Sequence, residues 1–292
     1  MPRDGVLLVL FASLWFSAAT MLVKAVGPEV PVVWVAFLRC AVALGTVAML
    51  MRRLGVGFRS PHWVRLFLRG IWGVSAMVCL FWALPRMPIA NAMLISHVSP
   101  LYAALWGVLF LGERLDRLAV LCIAVAFGGV CLTLRSEISF AAFSSTSGAA
   151  PYAAALASGL LASVAIATIK SLTRDEPALR IVFYFSLVGT AVFLPWVLIS
   201  GYRPTAAQWG MMGGVGVAAT AGQALLTVGL GRAPVSRAGI GVLFIIVVNI
   251  AGGWLFWGEI PDPWTWLGCL LVLGGILGLS PALRRRLAFS PA

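Results

Sequence analysis

The sequence predicts an all-α integral membrane protein, with ten transmembrane helices forming two inverted five-helix repeats around a central cavity. Three observations predict it. Of the 292 residues, 61% are hydrophobic and only 10% are charged, whereas a soluble domain places about a quarter of its residues in charge. Ten apolar runs recur along the chain, each near the roughly 20 residues that a helix needs to cross about 30 Å of hydrocarbon. The phrase "LFLGERLD" at 109–116 returns as "LFWGEIPD" at 255–262, 146 positions later and half a chain away.

The spans are expected over residues 5–25, 31–51, 66–85, 89–111, 117–134, 151–169, 178–199, 208–230, 236–257 and 264–281. The first, with Arg3 ahead of it, resembles a secretory signal, but its counterpart in the sixth run marks it as a span. Basic residues in the short loops set the orientation. With the N-terminus inside, fifteen fall on the cytoplasmic side, while Lys24, Arg86, Arg135 and Arg203 fall outside and Arg39 and Arg69 lie within spans. Both termini are therefore predicted to be cytoplasmic, in a cell inner membrane. The five cysteines all lie in spans, so no disulfide framework is implied. Trp34, Trp63, Trp196, Trp209, Trp264 and Trp266 sit near the expected interfaces as an aromatic belt.

A gapless shift by 146 aligns Ser17 with Ser163, Lys24 with Lys170, Pro31 with Pro177, Gly70 with Gly216, Pro88 with Pro234, Gly112 with Gly258 and Glu113 with Glu259. The chain reads as a duplication: a first repeat over 1–134, a linker over 135–150 that should be mobile, a second repeat over 151–281 and a basic cytoplasmic tail over 282–292. Five crossings are an odd number, so the second unit starts on the opposite side of the bilayer and lies inverted. Inverted repeats are a transporter signature.

Ten spans in two halves, Pro100 in the middle of the fourth ("SHVSPLYAALWGVLFLGERL") and the "GE" pairs closing spans four and nine resemble the EamA family of the drug/metabolite transporter superfamily. Within it the chain is similar to amino-acid exporters of the YddG type. The resemblance implies a basket of spans one to four and six to nine around the cavity, with five and ten outside. Ile246 stands where the repeat would place a second Pro100, so a kink is expected in span four alone.

Helix faces nominate the substrate contacts. Ser13, Ser17, Thr20 and Lys24 form one stripe of span one, matched by Gly159, Ser163, Ile166 and Lys170 in span six; close helix packing competes with cavity lining there. In span four Asn91, Ala92, Ile95, Ser99, Tyr102, Ala103 and Trp106 share a side that is expected to face the cavity, and Asn249 is the polar residue on the matching face of span nine. Phe81 and Trp82 in span three, Tyr184 in span seven and Gln223 in span eight complete the set. Arg39, about eight residues inside span two, is the most expensive residue in the chain. It reads either as a carboxylate-capturing group or as a structural arginine bonded to carbonyls or snorkelling outward.

All nine acidic residues fall in loops or at span ends, so no embedded carboxylate is available to carry a proton. A facilitator or uniporter is expected, with His97 the one embedded group able to titrate near neutrality. Lys24 and Glu259 belong to the outer end, and their repeat mates Lys170 and Glu113 to the inner end. An ion pair made and broken at each mouth in turn is one gating reading; solvated surface charge is the other.

Several classes are disfavoured. The net charge of +12 is scattered between apolar runs and forms no patch with interleaved aromatics, so no nucleic-acid partner is expected. Ser75 with His97 is a weak match to an intramembrane protease dyad, and no pair of His or Cys stands at metal spacing. The expectation is a carrier without cofactor or metal, exporting amphipathic metabolites across the lipid bilayer; a monomer is compatible with the sequence, which does not fix the oligomeric state. Amino acids, aromatic ones included, are favoured because Phe81, Tyr102 and Trp106 could stack on them. The alternatives are a carrier or exchanger for a nucleotide-like or drug-like solute, with proton coupling through His97 left open, and, from another class, a membrane enzyme or scaffold.

Overall fold

The computed structural model describes residues 2–97, 102, 117–135, 146–173, 175–232 and 235–278. Among them are ten α-helices: α1 (Pro2–Val26), α2 (Val32–Arg53), α3 (Trp63–Ala83), α4 (Ile89–Ser96), α5 (Arg117–Arg135), α6 (Thr146–Leu172), α7 (Ala178–Ile199), α8 (Ala206–Arg232), α9 (Val235–Trp257) and α10 (Pro263–Gly278). The described residues contain no strand. Each expected span coincides with one helix; for the fourth, only its first part is described. Five stretches, Leu7–Val26, Val32–Arg53, Trp63–Arg86, Ala149–Ile169 and Ala178–Ile199, are long and apolar enough to cross a membrane. Helix α6 begins at Thr146, inside the segment expected as linker. Pro100, the expected kink, lies outside the described residues.

The helix ends carry the duplication in their backbone. Pro31 and Pro177 are the extended N-cap residues of α2 and α7, as suits a residue with fixed φ and no N–H. Both helices are followed by a left-handed glycine, Gly55 at φ 67° and Gly201 at φ 62°, a conformation that costs glycine little.

Packing repeats the pattern. Helix α1 lies on α8 as α3 lies on α6, α2 lies on α8 as α3 lies on α7, and α1 meets α9 as α4 meets α6. Two pairs join equivalent helices directly, α2 with α7 and α5 with α10. The α2–α7 pair is antiparallel: Trp34 Nε1 at the start of α2 donates to Ser200 Oγ beyond the end of α7 (3.0 Å), and Arg180 Nε at the start of α7 donates to the Gly57 carbonyl beyond the end of α2 (2.8 Å). Equivalent helices running in opposite directions mean that the two halves are inverted. One end of the bundle, the Lys24 end, holds the connections at 27–31, 84–88, 200–205 and 258–262. The other, the Glu176 end, holds those at 54–62 and 175–177.

The core runs along these contacts, with Met93, Leu94, Ile95 and Ile246 buried, while Leu198 and Leu255 leave 74% and 76% of their surface outside. Large apolar side chains so exposed suit a lipid-facing surface. Trp34 departs from the expected belt. It is only 8% exposed, because its ring packs 5.6 Å from Trp209 and 6.1 Å from Tyr202 while its N–H finds Ser200. Trp63, Trp196, Trp209, Trp264 and Trp266 are exposed.

Candidate functional site

At the Lys24 end the returning "GE" phrase has a mechanical explanation. Helix α9 stops at Trp257, Gly258 turns left-handed at φ 65° with its N–H on the Trp254 carbonyl (3.0 Å), the five-to-one bond of an αL ending, and the Glu259 N–H reaches back to the Gly253 carbonyl (3.1 Å). That turn aims the Glu259 side chain across the bundle. Its Oε1 pairs with Lys24 Nζ, and its Oε2 accepts the backbone N–H of Ile89 (3.0 Å), the first residue of α4, where a carboxylate satisfies an orphan donor and meets the positive end of the helix. Lys24 Nζ also donates to the Met87 carbonyl (3.1 Å) and lies 5.6 Å from the Trp257 ring. Its side chain is 8% exposed and that of Glu259 24%. The pair thus ties α1, the start of α4 and the end of α9 into one closed knot. Of the expected mates, Glu113 lies outside the described residues, as does the side chain of Lys170.

Midway along the bundle Arg39 of α2 and Gln223 of α8 line one cleft, with Ala43, Phe185, Ser186 and Thr220. Its volume is about 10 Å³, room for about one water. The Arg39 guanidinium is neither bonded to carbonyls nor turned outward. Nη1 lies 2.8 Å from Met77 Sδ, and Cζ stands 5.0 Å from the Phe185 ring and 5.9 Å from that of Phe81. Arg69 of α3 lies over the same Phe185 ring at 4.5 Å.

The other candidates are dispersed. Asn249 Nδ2 donates to Ser17 Oγ (3.1 Å) and to the Ile245 carbonyl (2.8 Å), linking α9 to α1, with both residues fully buried. Ser163 Oγ donates to the Leu160 carbonyl (2.6 Å) of its own helix. Tyr102 packs edge-on to Phe127 (6.0 Å) beside Gly159. Tyr184 sits with Leu66, Ile169 and Leu172, away from the cleft, and Trp82 is covered by the Arg86 guanidinium (4.6 Å). His97 caps the end of α4, its Nδ1 2.9 Å from the Met93 carbonyl, and so carries a proton on that nitrogen. Ser99, Pro100 and Trp106 lie outside the described residues.

The Glu176 end holds a cluster that the sequence reading missed. Glu176 accepts from Ser60 Oγ and from Arg180 Nη1 (2.5 Å), and His62 Nδ1 stands 3.1 Å from its Oε1; its side chain is 1% exposed. Arg65 and Asp175 approach at 3.4 Å nearby. Burial pushes the Glu176 carboxyl up, but the hydrogen bonds from Ser60, Arg180 and His62 and the Arg180 charge outweigh it and hold the group below the usual carboxylate range. Arg180 is the repeat mate of Trp34, and His62 that of Gln208. Gln208 sits in the opposite latch, accepting from Tyr202 OH (3.0 Å) and exchanging bonds with Thr205 as a capping box. The shift by 146 was the signal that could have paired these positions.

Comparison with known proteins agrees with this architecture. The profile of the EamA-like transporter family matches residues 3–135 and again 150–280. The pseudopaline exporter CntI of Pseudomonas aeruginosa is 32% identical over 95% of this chain and 96% of its own length. A riboflavin transporter of Rhizobium johnstonii is 27% identical over 78% of this chain and 74% of its own. One solved crystal structure, at 22% identity, superposes with a TM-score of 0.71 over 98% of this chain and 99% of that one, a likeness of fold.

Proposed function

The chain belongs to the EamA-like transporter family, a multi-pass membrane transporter and no enzyme, and from that premise we propose that it exports amphipathic small metabolites by alternating access as a facilitator. Amino acids, aromatic ones included, are the proposed substrates. The proposed setting is a cell inner membrane crossed ten times, with both termini cytoplasmic and the Lys24 end outside.

The observation that carries this reading is the Lys24–Glu259 knot. Three helices from both halves meet there through one ion pair and one capping bond, an arrangement that a modest motion of α1 against α9 breaks as a unit. Inverted repeats supply the same machinery at the other mouth, where Lys170 and Glu113 are the proposed counterpart. Coupling to a proton gradient is disfavoured, because every described acidic side chain stands at a helix end or in a connection and none is embedded to carry the proton.

Purified protein in liposomes loaded with an amino-acid panel, without a pH gradient, tests the proposal. Saturable efflux of at least one member is the expected result; flux only under an imposed pH gradient overturns the facilitator, and efflux confined to nucleotide-like solutes overturns the substrate class.

A further inference from the structure

Two arginines enter the apolar interior on different helices, Arg39 from α2 and Arg69 from α3, and both guanidiniums lie within 5.0 Å of the centre of one ring, that of Phe185. Arg69 is 5% exposed. Gly73 makes room for it: a Cβ there would stand 3.0 Å from Arg69 Nη1 and 3.1 Å from Phe185 Cε2. What surrounds the two cations is soft, namely the sulfurs of Met77 and Cys40 and the rings of Phe81 and Phe185. Among the described residues no acidic side chain pairs with either: the ion pairs belong to Lys24, His62, Arg65 and Arg180. Arg69 Nε and Nη1 are buried and donate to nothing.

Ring faces attract a guanidinium but accept no N–H bond along its plane, and Arg39 spends its donors only on weak sulfur acceptors, so Arg69 Nε and Nη1 are left for a ligand. Buried charge without a counter-charge is costly, and structural buried arginines are paired. The missing partner is an anion with in-plane lone pairs, the geometry of a carboxylate against a planar fork. We infer that Arg39 and Arg69 together form a carboxylate-binding site, with Phe185 as the platform holding both cations and Phe81 and Met77 receiving the apolar part of the ligand. The inference deepens the proposed function: it names the anionic end as the recognised feature of the exported metabolite. The adjoining cleft has room for about one water, so the site fills only when α2, α7 and α8 move apart.

The test uses the full chain in detergent and in liposomes, with phenylacetate, L-phenylalanine and the amide of each as probes. The expected result is that each acid binds at least tenfold more tightly than its amide, and that Arg69→Met and Arg39→Met each remove that preference without weakening amide binding. Arg69→Lys, which keeps the charge and loses the fork, retains part of it. A merely structural arginine would move stability and leave the acid-to-amide ratio unchanged. Equal affinity for acid and amide in the unaltered protein, or no saturable binding of either acid, overturns the inference and needs no variant to fold. If liposomes carry amino acids while that ratio is one, the carboxylate site falls and the transporter reading stands. Acid binding through Arg69 with no efflux of any amino acid keeps the site and removes the amino-acid assignment.

Discussion

Gly70 of α3 lies so close to Val188 of α7 that a Cβ on the glycine would come within 2.8 Å of Val188 Cγ2, and moving both positions by 146 gives Gly216 of α8 against Val42 of α2, again at 2.8 Å. The two contacts are the same contact made twice, each time between the two halves. A methyl group at either glycine forces two helices apart by a branched side chain that cannot yield. Gly70→Ala and Gly216→Ala should each destabilise the fold by about 1–3 kcal/mol, the usual cost of overpacking, and their effects should add, since they stand at separate sites. Thermal unfolding of the singles and the double in one detergent checks this; a double no worse than either single contradicts the pairing.

The Lys24–Glu259 knot predicts a charge-swap pattern. Lys24→Glu and Glu259→Lys should each lower amino-acid efflux about tenfold or more, because each places like charges together at a buried mouth. The double swap should recover part of the flux. Full recovery is not expected, since Glu259 also caps Ile89 and a lysine cannot accept that N–H. A double mutant that transports no better than the singles would leave the pair without a gating role.

The duplication was legible because its marks are backbone requirements: Pro31 and Pro177 start helices, Gly258 ends one, and Gly70 and Gly216 admit a neighbour. Such constraints fix residue types locally, so they survive in both copies and show in a shift. The latches were hidden because the copies solve one task with different chemistry. Trp34 clasps the α7–α8 connection with an indole, and Arg180 clasps the α2–α3 connection with a guanidinium. Nothing in either residue type alone suggests the other. Arg39 was legible as anomalous by its depth, but Phe185 and Arg69 reach it only through α2–α7 and α3–α7 packing, which no spacing within one helix encodes.

Glu176 predicts an acid-sensitive latch. Its carboxyl is held below the usual carboxylate range in the folded chain, so the unfolded chain binds that proton more readily. The stabilisation is therefore complete above the usual range and is lost as pH falls through the lower folded value. Melting temperature measured from neutral pH downward should fall more steeply for the unaltered protein than for Glu176→Gln in the acid range. At neutral pH Glu176→Gln should be less stable by about 3 kcal/mol, because it breaks a buried pair and leaves Arg180 without its carboxylate. Parallel pH curves for the two proteins would count against this role.

Asn249 of α9 keeps one side-chain oxygen without a partner among the described residues. Its Nδ2 is identified by the 2.8 Å approach to the Ile245 carbonyl, since a carbonyl only accepts, and this leaves Oδ1 buried and accepting no hydrogen bond among the described residues. An unfilled acceptor at a fully buried position is costly to keep for packing alone, and it matches the ammonium group of an amino acid. Asn249→Leu removes the orphan oxygen and fills a similar volume but takes from Ser17 Oγ its donor, so stability should fall by about 1 kcal/mol, the usual worth of one such bond. Efflux of amino acids should nevertheless fall about tenfold, while Ser17→Ala, which leaves Oδ1 in place, should cost about 1 kcal/mol of stability and little flux. Measured side by side, efflux that tracks melting temperature across the two variants would make the Ser17–Asn249 bond a packing contact and nothing more.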